Sequence, residues 1–186
     1  ALQNNPISAP TYHQIGLALY ALGNKEDSLA SYDKAIQLDP QSAPFYFNKG
    51  LVLMDLGRTK EAIVYYKKAV QIDPSYVIAY NQQGLALASL GKLGAALTCY
   101  NKAITSDPTY VNAYVNKGNV LCTLGRMGEA LECYNKAIEI DPTFEQAYVN
   151  KGIVLHELQQ MTEAIACFDK CIELNPKNYL AFYNKG

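Results

Sequence analysis

Proline and glycine recur along the chain at a fixed spacing of 34 residues, and this spacing restricts the possible folds more than any other feature. The prolines on this period are Pro6, Pro40, Pro74, Pro108, Pro142 and Pro176, and the glycines are Gly16, Gly50, Gly84, Gly118, Gly152 and Gly186. A constant period of this length predicts an array of similar units that stack on one another. We number each unit so that its periodic glycine is position 8, which places the unit starts at Ala9, Ala43, Val77, Val111, Glu145 and Tyr179.

Each unit is predicted to form two α-helices joined by a tight turn. In the unit that begins at Ala43, the first helix carries Tyr46, Leu53 and Leu56 at helical spacing. A glycine usually follows this helix, and glycine can adopt the left-handed conformation that closes a helix end. The second helix, over 58–71, ends before an Asp-Pro pair, because proline pushes the preceding residue out of helical geometry.

Small residues recur where the two helices of a unit must come close. Position 8 is glycine, positions 20 and 27 are alanine except for Ser28 and Cys171, and position 24 is aromatic. A residue with little or no side chain lets two helix backbones approach, and an aromatic ring fills the space beside it. Two helices of about 14 residues are marginal alone, so stability is expected to come from stacking.

The segments AYVNKGNVLCTLGRMGEALECY (113–134) and YNKAIEIDP (134–142) resemble tetratricopeptide repeats, and the resemblance covers essentially the whole chain. It implies an all-α fold, a right-handed superhelical solenoid of antiparallel helix pairs. The implied boundaries are the tail of a preceding repeat at 1–8, repeats at 9–42, 43–76, 77–110, 111–144 and 145–178, and the first half-helix of a sixth repeat at 179–186.

Position 7 departs from the family, which usually has leucine there. This chain has Ile15, Lys49, Gln83, Lys117, Lys151 and Lys185. We predict that these lysines pack their aliphatic stems on the helices and keep their ammonium groups in water.

The two ends of the chain interrupt the repeat pattern. The sequence has no initiator methionine, starts within a second helix and stops within a first helix. We therefore expect the natural protein to continue at one or both ends. Uncapped ends would expose apolar surface, so head-to-tail self-association is an expected interaction.

Composition narrows the function classes. Sixteen Lys and Arg against 17 Asp and Glu give a net charge of −1, which favours neither nucleic acid nor an anionic membrane surface. No apolar run approaches the roughly 20 residues of a membrane-spanning helix. The five cysteines include three at the repeat spacing, Cys99, Cys133 and Cys167. They predict reduced thiols in an intracellular protein, and the cytoplasm is the compartment we expect.

No cofactor, metal or catalytic group is predicted. Cys167 and Cys171 are four residues apart, but a zinc site needs four ligands and no histidine is near them in sequence. His13 and His156 lack the converging acid or nucleophile that catalysis requires.

A column of carboxamides is the strongest functional signal. Position 6 holds Gln14, Asn48, Gln82, Asn116, Asn150 and Asn184. An amide both donates and accepts, so one amide per unit could pair with the backbone of an extended peptide. The column is similar to the asparagine ladder of the O-linked N-acetylglucosamine transferases, and this resemblance implies a grip on peptide main chain along a concave face. A merely solvated column is the alternative interpretation.

The remaining predicted contact residues are mostly uncharged, which suits an extended segment with few charges. They are Tyr20, Phe47, Leu51, Met54, Leu85, Val115, Asn119 and Val149. Among them Tyr20, Phe47 and Met54 are the expected hot-spot anchors. The alternative is that some of these side chains pack between units instead.

These observations predict a protein–protein interaction module that binds an extended peptide, without enzymatic activity. Two alternatives remain open: a substrate-recruiting arm of a larger enzyme such as a glycosyltransferase, and a self-assembling scaffold. Capture of chaperone C-termini is not expected, because the family's carboxylate clamp needs cationic residues where this chain has Val115, Leu180 and Asn184.

Overall fold

The structure is a computed structural model that describes residues 8–185. Within this range eleven α-helices follow one another: α1 Ala9–Ala21, α2 Lys25–Leu38, α3 Ala43–Asp55, α4 Thr59–Ile72, α5 Val77–Ser89, α6 Leu93–Ser106, α7 Val111–Thr123, α8 Met127–Ile140, α9 Glu145–Glu157, α10 Met161–Leu174 and α11 Tyr179–Lys185. The predicted all-α architecture of antiparallel helix pairs is confirmed. Most of the predicted tail at 1–8, together with Gly186, lies outside the described residues.

The chain forms two compact units, Ala1–Lys92 and Leu93–Gly186. In the first unit α1 packs on α2 and α3 on α4, and the pairs are joined by contacts of α2 with α3 and of α4 with α5. In the second unit α7 packs on α8 and α9 on α10, with α6, α8 and α10 each contacting the helix that follows. In each unit, therefore, the second helix of a pair packs on the first helix of the next pair.

The turn between the two helices of a repeat needs a left-handed residue. Gly57 has φ +73°, and its N–H donates to Met54 O at 2.9 Å while Arg58 N–H donates to Leu53 O at 2.8 Å. This pair of bonds satisfies the last carbonyls of α3. In the fifth repeat Gln159 takes the same conformation with φ 61°, which a residue with a side chain adopts only at a cost.

The Asp-Pro corners are closed by side-chain hydrogen bonds. Asp107 Oδ1 accepts from the Thr109 N–H at 2.8 Å, which stabilises the turn that follows α6. The Tyr114 hydroxyl then donates to Pro108 O at 3.1 Å. The aromatic residue at position 4 thus ties the first helix of a repeat to the corner that precedes it.

The predicted close approach at position 8 is confirmed. A Cβ atom added to Gly50 would lie 2.6 Å from Tyr66 Cε1, and one added to Gly118 would lie 2.5 Å from Tyr134 Cε1. Both tyrosines are fully or almost fully buried. Each ring therefore lies against the backbone of the first helix, in space that a methyl group would occupy.

Lys49 differs from the sequence-based prediction, because its ammonium is not in water. Its side chain is only 8% exposed, and its Nζ forms an ion pair with Asp33. The same Nζ lies 4.4 Å from the centre of the Tyr65 ring. Burial would lower the pKa of Lys49, but its interactions with Asp33 and Tyr65 outweigh burial and raise the pKa.

The glycine contact is testable in the second unit. Gly118→Ala is expected to lower the free energy of unfolding by about 1–3 kcal/mol, because the new methyl group overlaps the Tyr134 ring. Gly128→Ala is the matched control, since nothing lies within 4 Å of its added Cβ and alanine favours the helix by up to about 1 kcal/mol. Urea unfolding followed by circular dichroism measures both. A Gly118→Ala protein as stable as Gly128→Ala would contradict this assignment.

Candidate functional site

The position-6 amides lie on the first helices, on the same helix face as positions 2, 9 and 13, because these positions recur close to the helical period. In the first unit Gln14 is exposed, whereas Asn48 and Gln82 are half-buried. In the second unit Asn116, Asn150 and Asn184 are half-buried.

In the first unit Asn48 is bonded to the preceding repeat. Its Nδ2 lies 2.7 Å from Nε2 of His13, so the amide donates and this ring nitrogen accepts. The ring centroid of His13 also lies 4.9 Å from that of Phe45. Burial lowers the pKa of His13 from 6.5, which keeps the imidazole neutral at pH 7 and preserves its acceptor. Protonation at acidic pH would remove that acceptor.

Tyr20 is also bonded across repeats. Its hydroxyl donates to the Asp55 carboxylate, whose Oδ2 lies 3.7 Å from Lys25 Nζ. The hydrogen bond with Asp55, with a contribution from burial, raises the pKa of Tyr20 to about 12. Its hydroxyl is therefore already hydrogen-bonded within the protein.

Three other predicted contact residues of the first unit differ in solvent exposure. Leu51 and Met54 are half-buried, and Leu85 is 37% exposed.

In the second unit the amides form a connected hydrogen-bond network. Asn119 Oδ1 accepts from the Tyr134 hydroxyl at 2.8 Å and from Asn150 Nδ2 at 2.8 Å. Asn150 Oδ1 in turn accepts from Gln146 Nε2 at 2.8 Å. The Tyr134 hydroxyl also lies 3.4 Å from Cys122 Sγ. We call Asn119, Tyr134, Asn150 and Gln146 the amide network.

This network fixes the orientation of the Asn119 amide. Both acceptor positions of its Oδ1 are used, so its Nδ2 must point away from Tyr134 and Asn150. Asn119 is exposed, and among residues 8–185 no hydrogen-bond partner lies within reach of this nitrogen. Two N–H donors are therefore directed towards solvent from a side chain that the protein itself holds in place.

A cleft of about 190 Å³ adjoins the amide network. Asn119 and Asn150 line it together with the apolar side chains of Ile153 and Val154, and Glu157 is also part of the lining. A volume of this size accommodates one side chain. Amide donors and an apolar cleft thus lie together on the first-helix face of the second unit.

Three predicted contact residues are buried instead. Phe47 is 8% exposed, Val115 4% and Val149 2%. The Phe47 ring packs against Tyr66 and Tyr76, with centroids 5.9 and 5.1 Å apart. Position 5 faces the packing within and between repeats, so these residues support the surface from beneath. Their burial favours the alternative interpretation that they pack between helices, and direct contact with a ligand stays a prediction for them.

Asn184 is likewise engaged, because its Nδ2 donates to Leu180 O of its own helix at 2.7 Å. Asn119, at position 9, is one of the predicted contact residues, but the sequence did not predict that its N–H donors would be free. One signal was available: the other complete units have leucine or isoleucine at that position.

The part of the chain that the structure describes holds no group of three His, Cys, Asp or Glu side chains arranged to bind a metal ion. Its five cysteines are free thiols. Among the described helices, none has both the length and the apolar character needed to cross a membrane.

The role of the Tyr134 hydroxyl is testable by comparison with Tyr66. Tyr134→Phe is expected to lower the free energy of unfolding by about 1 kcal/mol, because it removes a hydrogen bond to Asn119. Tyr66→Phe removes a buried hydroxyl to which the described residues give no partner, so stability should stay the same or rise by up to about 1 kcal/mol. Urea unfolding of both variants measures the difference, and equal losses would contradict it.

Solved structures provide close comparisons. The crystal structure of MamA protein matches with a TM-score of 0.80 at 29% identity, over 92% of this chain and 93% of that one. The structure of YrrB, described as a TPR protein with an unusual peptide-binding site, matches with a TM-score of 0.77 at 27% identity, over 99% of this chain and 95% of that one. TTC0263, a thermophilic TPR protein in Thermus thermophilus, has a similar fold, with a TM-score of 0.73 at 22% identity and coverage of 95% and 97%.

Sequence profiles give the family. A profile described as TPR repeat matches residues 84–125 and 118–159. Two described as tetratricopeptide repeat match residues 13–77 and 145–178. No curated protein matches the chain. The 34-residue helix pairs, the glycine–aromatic contacts and these profiles agree, and the chain belongs to the tetratricopeptide repeat family.

Proposed function

We propose that this protein is a protein–protein interaction module that binds an extended, mostly uncharged peptide on the first-helix faces, without catalytic activity of its own. The observation that carries the proposal is the amide network, which holds the two N–H donors of Asn119 towards solvent beside the 190 Å³ cleft. Such donors suit the carbonyl oxygens of a peptide backbone. YrrB, the similar structure described as having an unusual peptide-binding site, adds support by analogy.

The proposed contacts divide into two kinds. In the second unit Asn119 donates to a main-chain carbonyl, while one apolar ligand side chain enters the cleft against Ile153. In the first unit Gln14, Leu51, Met54 and Leu85 provide accessible surface of the same mixed character. The remaining column members, Asn116 and Asn184 among them, stay candidates for the same ladder. The same surface would serve a substrate-recruiting arm of a larger enzyme.

The test combines selected peptides with a substitution that the fold already tolerates. Peptides are selected on the wild-type protein from a displayed library of random sequences, and their Kd values are measured by fluorescence anisotropy. Asn119→Leu places at position 9 the residue that Leu17, Leu51 and Leu85 provide in other repeats. Combined with Asn150→Ala, it is expected to weaken binding at least about tenfold, since two hydrogen bonds of about 1 kcal/mol each are lost.

Asn101→Ala is the matched control, because this exposed asparagine lies on a second helix. It should leave the Kd values unchanged. Backbone N-methylation or ester replacement along the peptide tests main-chain recognition directly, and at least one position should weaken binding. If Asn119→Leu with Asn150→Ala left every Kd within about twofold of wild type while remaining folded, groove recognition would be excluded.

A second candidate is self-association through α11. Four large apolar side chains of this helix are exposed: Tyr179 by 75%, Leu180 by 41%, Phe182 by 51% and Tyr183 by 82%. An apolar patch of this kind on a short helix favours burial against another protein surface. We infer that a second copy of the chain can cover it.

Light scattering over a range of protein concentrations tests this candidate. The average mass is expected to rise with concentration, and Phe182→Lys should reduce the rise because it places a charge in the apolar patch. Val64→Lys, which changes an exposed apolar residue of α4, is the control and should have no effect. A mass that stays monomeric at all concentrations would rule the candidate out.

A further inference from the structure

A second, larger cleft of about 440 Å³ lies in the second unit between α8, α9 and α10. Its lining includes Lys151 and Leu155 of α9. On this helix Lys151 and Leu155 lie roughly 150° around the axis from Asn150 and Ile153, given about 100° per residue. The cleft is therefore separate from the amide network and its role is independent of the proposed peptide groove.

The walls of this cleft are mainly apolar. Leu131 of α8 and Tyr148 of α9 pack against the buried cluster that contains Leu155 and Cys167. Burial raises the pKa of the Cys167 thiol, so the thiol is neutral at pH 7 and adds no negative charge. A volume of 440 Å³ falls in the usual range of small-molecule sites.

The polar groups of the cleft are Lys151, Asn135 and Glu163. Lys151 occupies position 7, where Lys49 of the first unit and Lys185 both pair with aspartates from the preceding second helix. In the repeat that precedes Lys151, position 25 is Asn135, which has an amide in place of the carboxylate. Lys151 thus lacks the acidic partner that the same register supplies elsewhere in the chain.

The equivalent cleft of the first unit is smaller, about 290 Å³, and its lining includes Asp33, Lys49 and Tyr65. There the Asp33 carboxylate binds the Lys49 ammonium, and the Tyr65 ring covers that ammonium at 4.4 Å. In the second unit the residue in the register of Tyr65 is Cys167, and Ala166 stands in the register of Val64. Smaller residues leave room for a ring. Asparagine in place of aspartate leaves the Lys151 ammonium without a carboxylate from position 25.

Glu163 is the one acidic side chain in the lining, and it faces the same cleft as Lys151. Its counterpart Glu61 lies close enough to Lys49 for their charges to interact, yet Lys49 still binds the Asp33 carboxylate. Glu163 is exposed, so its repulsion of an anion is reduced by solvent and salt. A carboxylate beside Lys151 is therefore compatible with this neighbour.

We propose that the cleft between α8, α9 and α10 binds a small aromatic carboxylate. The Lys151 ammonium and the Asn135 amide hold its carboxylate, as Lys49 holds Asp33. Its ring lies against Leu131, Tyr148 and Leu155, beside Cys167, where the first unit has the larger Tyr65. The ligand supplies the two groups that the repeat elsewhere supplies from its own side chains.

The probe is 1-naphthylacetate, titrated into the ¹⁵N-labelled full chain and followed by amide chemical shifts. We expect shifts confined to α8, α9 and α10 and a Kd of about 1 mM, typical of a small ligand with one charged contact. The uncharged isostere 1-naphthylacetamide should bind at least about tenfold more weakly, because it cannot pair with the Lys151 ammonium.

Two substitutions transplant residues of the first unit into the cleft. Asn135→Asp supplies the internal carboxylate, and Cys167→Tyr supplies the ring; each should weaken naphthylacetate binding at least about tenfold. Both residue types already occur at these repeat positions, as Asp33 and Tyr65. Asn101→Asp, one repeat earlier in the same register, is the matched control and should leave binding unchanged.

Three results would overturn the proposal. The first is the absence of shifts at these helices up to about 10 mM naphthylacetate. The second is equal binding of the acetamide, which would mean that Lys151 does not recognise the carboxylate. The third is binding within about twofold of wild type in folded Asn135→Asp and Cys167→Tyr proteins. None of these results depends on whether the first-helix faces bind peptide.

Discussion

The contact between a backbone glycine and a buried aromatic ring is the constraint on which the rest of each repeat depends. With Tyr66 against the backbone at Gly50, and Tyr134 against Gly118, the two helices of a repeat can lie close together. The distance between the helices then determines where the other positions of the first helix point. Position 5 faces the packed interior, position 6 faces the groove side and position 7 faces the neighbouring second helices. The two proposed binding surfaces, on either side of the first helix, both depend on this contact.

The same ring connects the interior to the surface. Where position 9 is Leu51, the buried Tyr66 hydroxyl forms no hydrogen bond with the described residues. Where position 9 is Asn119, the Tyr134 hydroxyl is bonded and the asparagine is oriented by that bond. A polar group that would otherwise be a cost in the core thereby holds a surface amide in one rotamer. Such an amide loses less conformational entropy when a ligand binds.

The sequence predicts the helices well, because each signal is local or strictly periodic. The Asp-Pro corners, the turn glycines and the pairing of Gly50 with Tyr66 follow from the 34-residue spacing. Burial of Val115 and Val149 and the network of Asn119 with Asn150 were not predictable in this way. They depend on side chains of adjacent repeats meeting at distances of a few ångströms. A helical period assigns a face to each residue, but it does not say how closely the next helix approaches that face.

The ion pairs between position 25 of one repeat and position 7 of the next also bear on how such a chain can evolve. Asp33 meets Lys49 and Asp169 meets Lys185, whereas Lys67 precedes the repeat with the uncharged Gln83. Suppose that the repeat following Lys67 were exchanged for one carrying Lys117 or Lys151. Two ammonium groups would then lie close together at the junction between repeats and repel each other. Repeats with nearly identical cores are therefore not interchangeable in order. Duplication, deletion or shuffling of single repeats would be destabilising wherever it places like charges together at a junction.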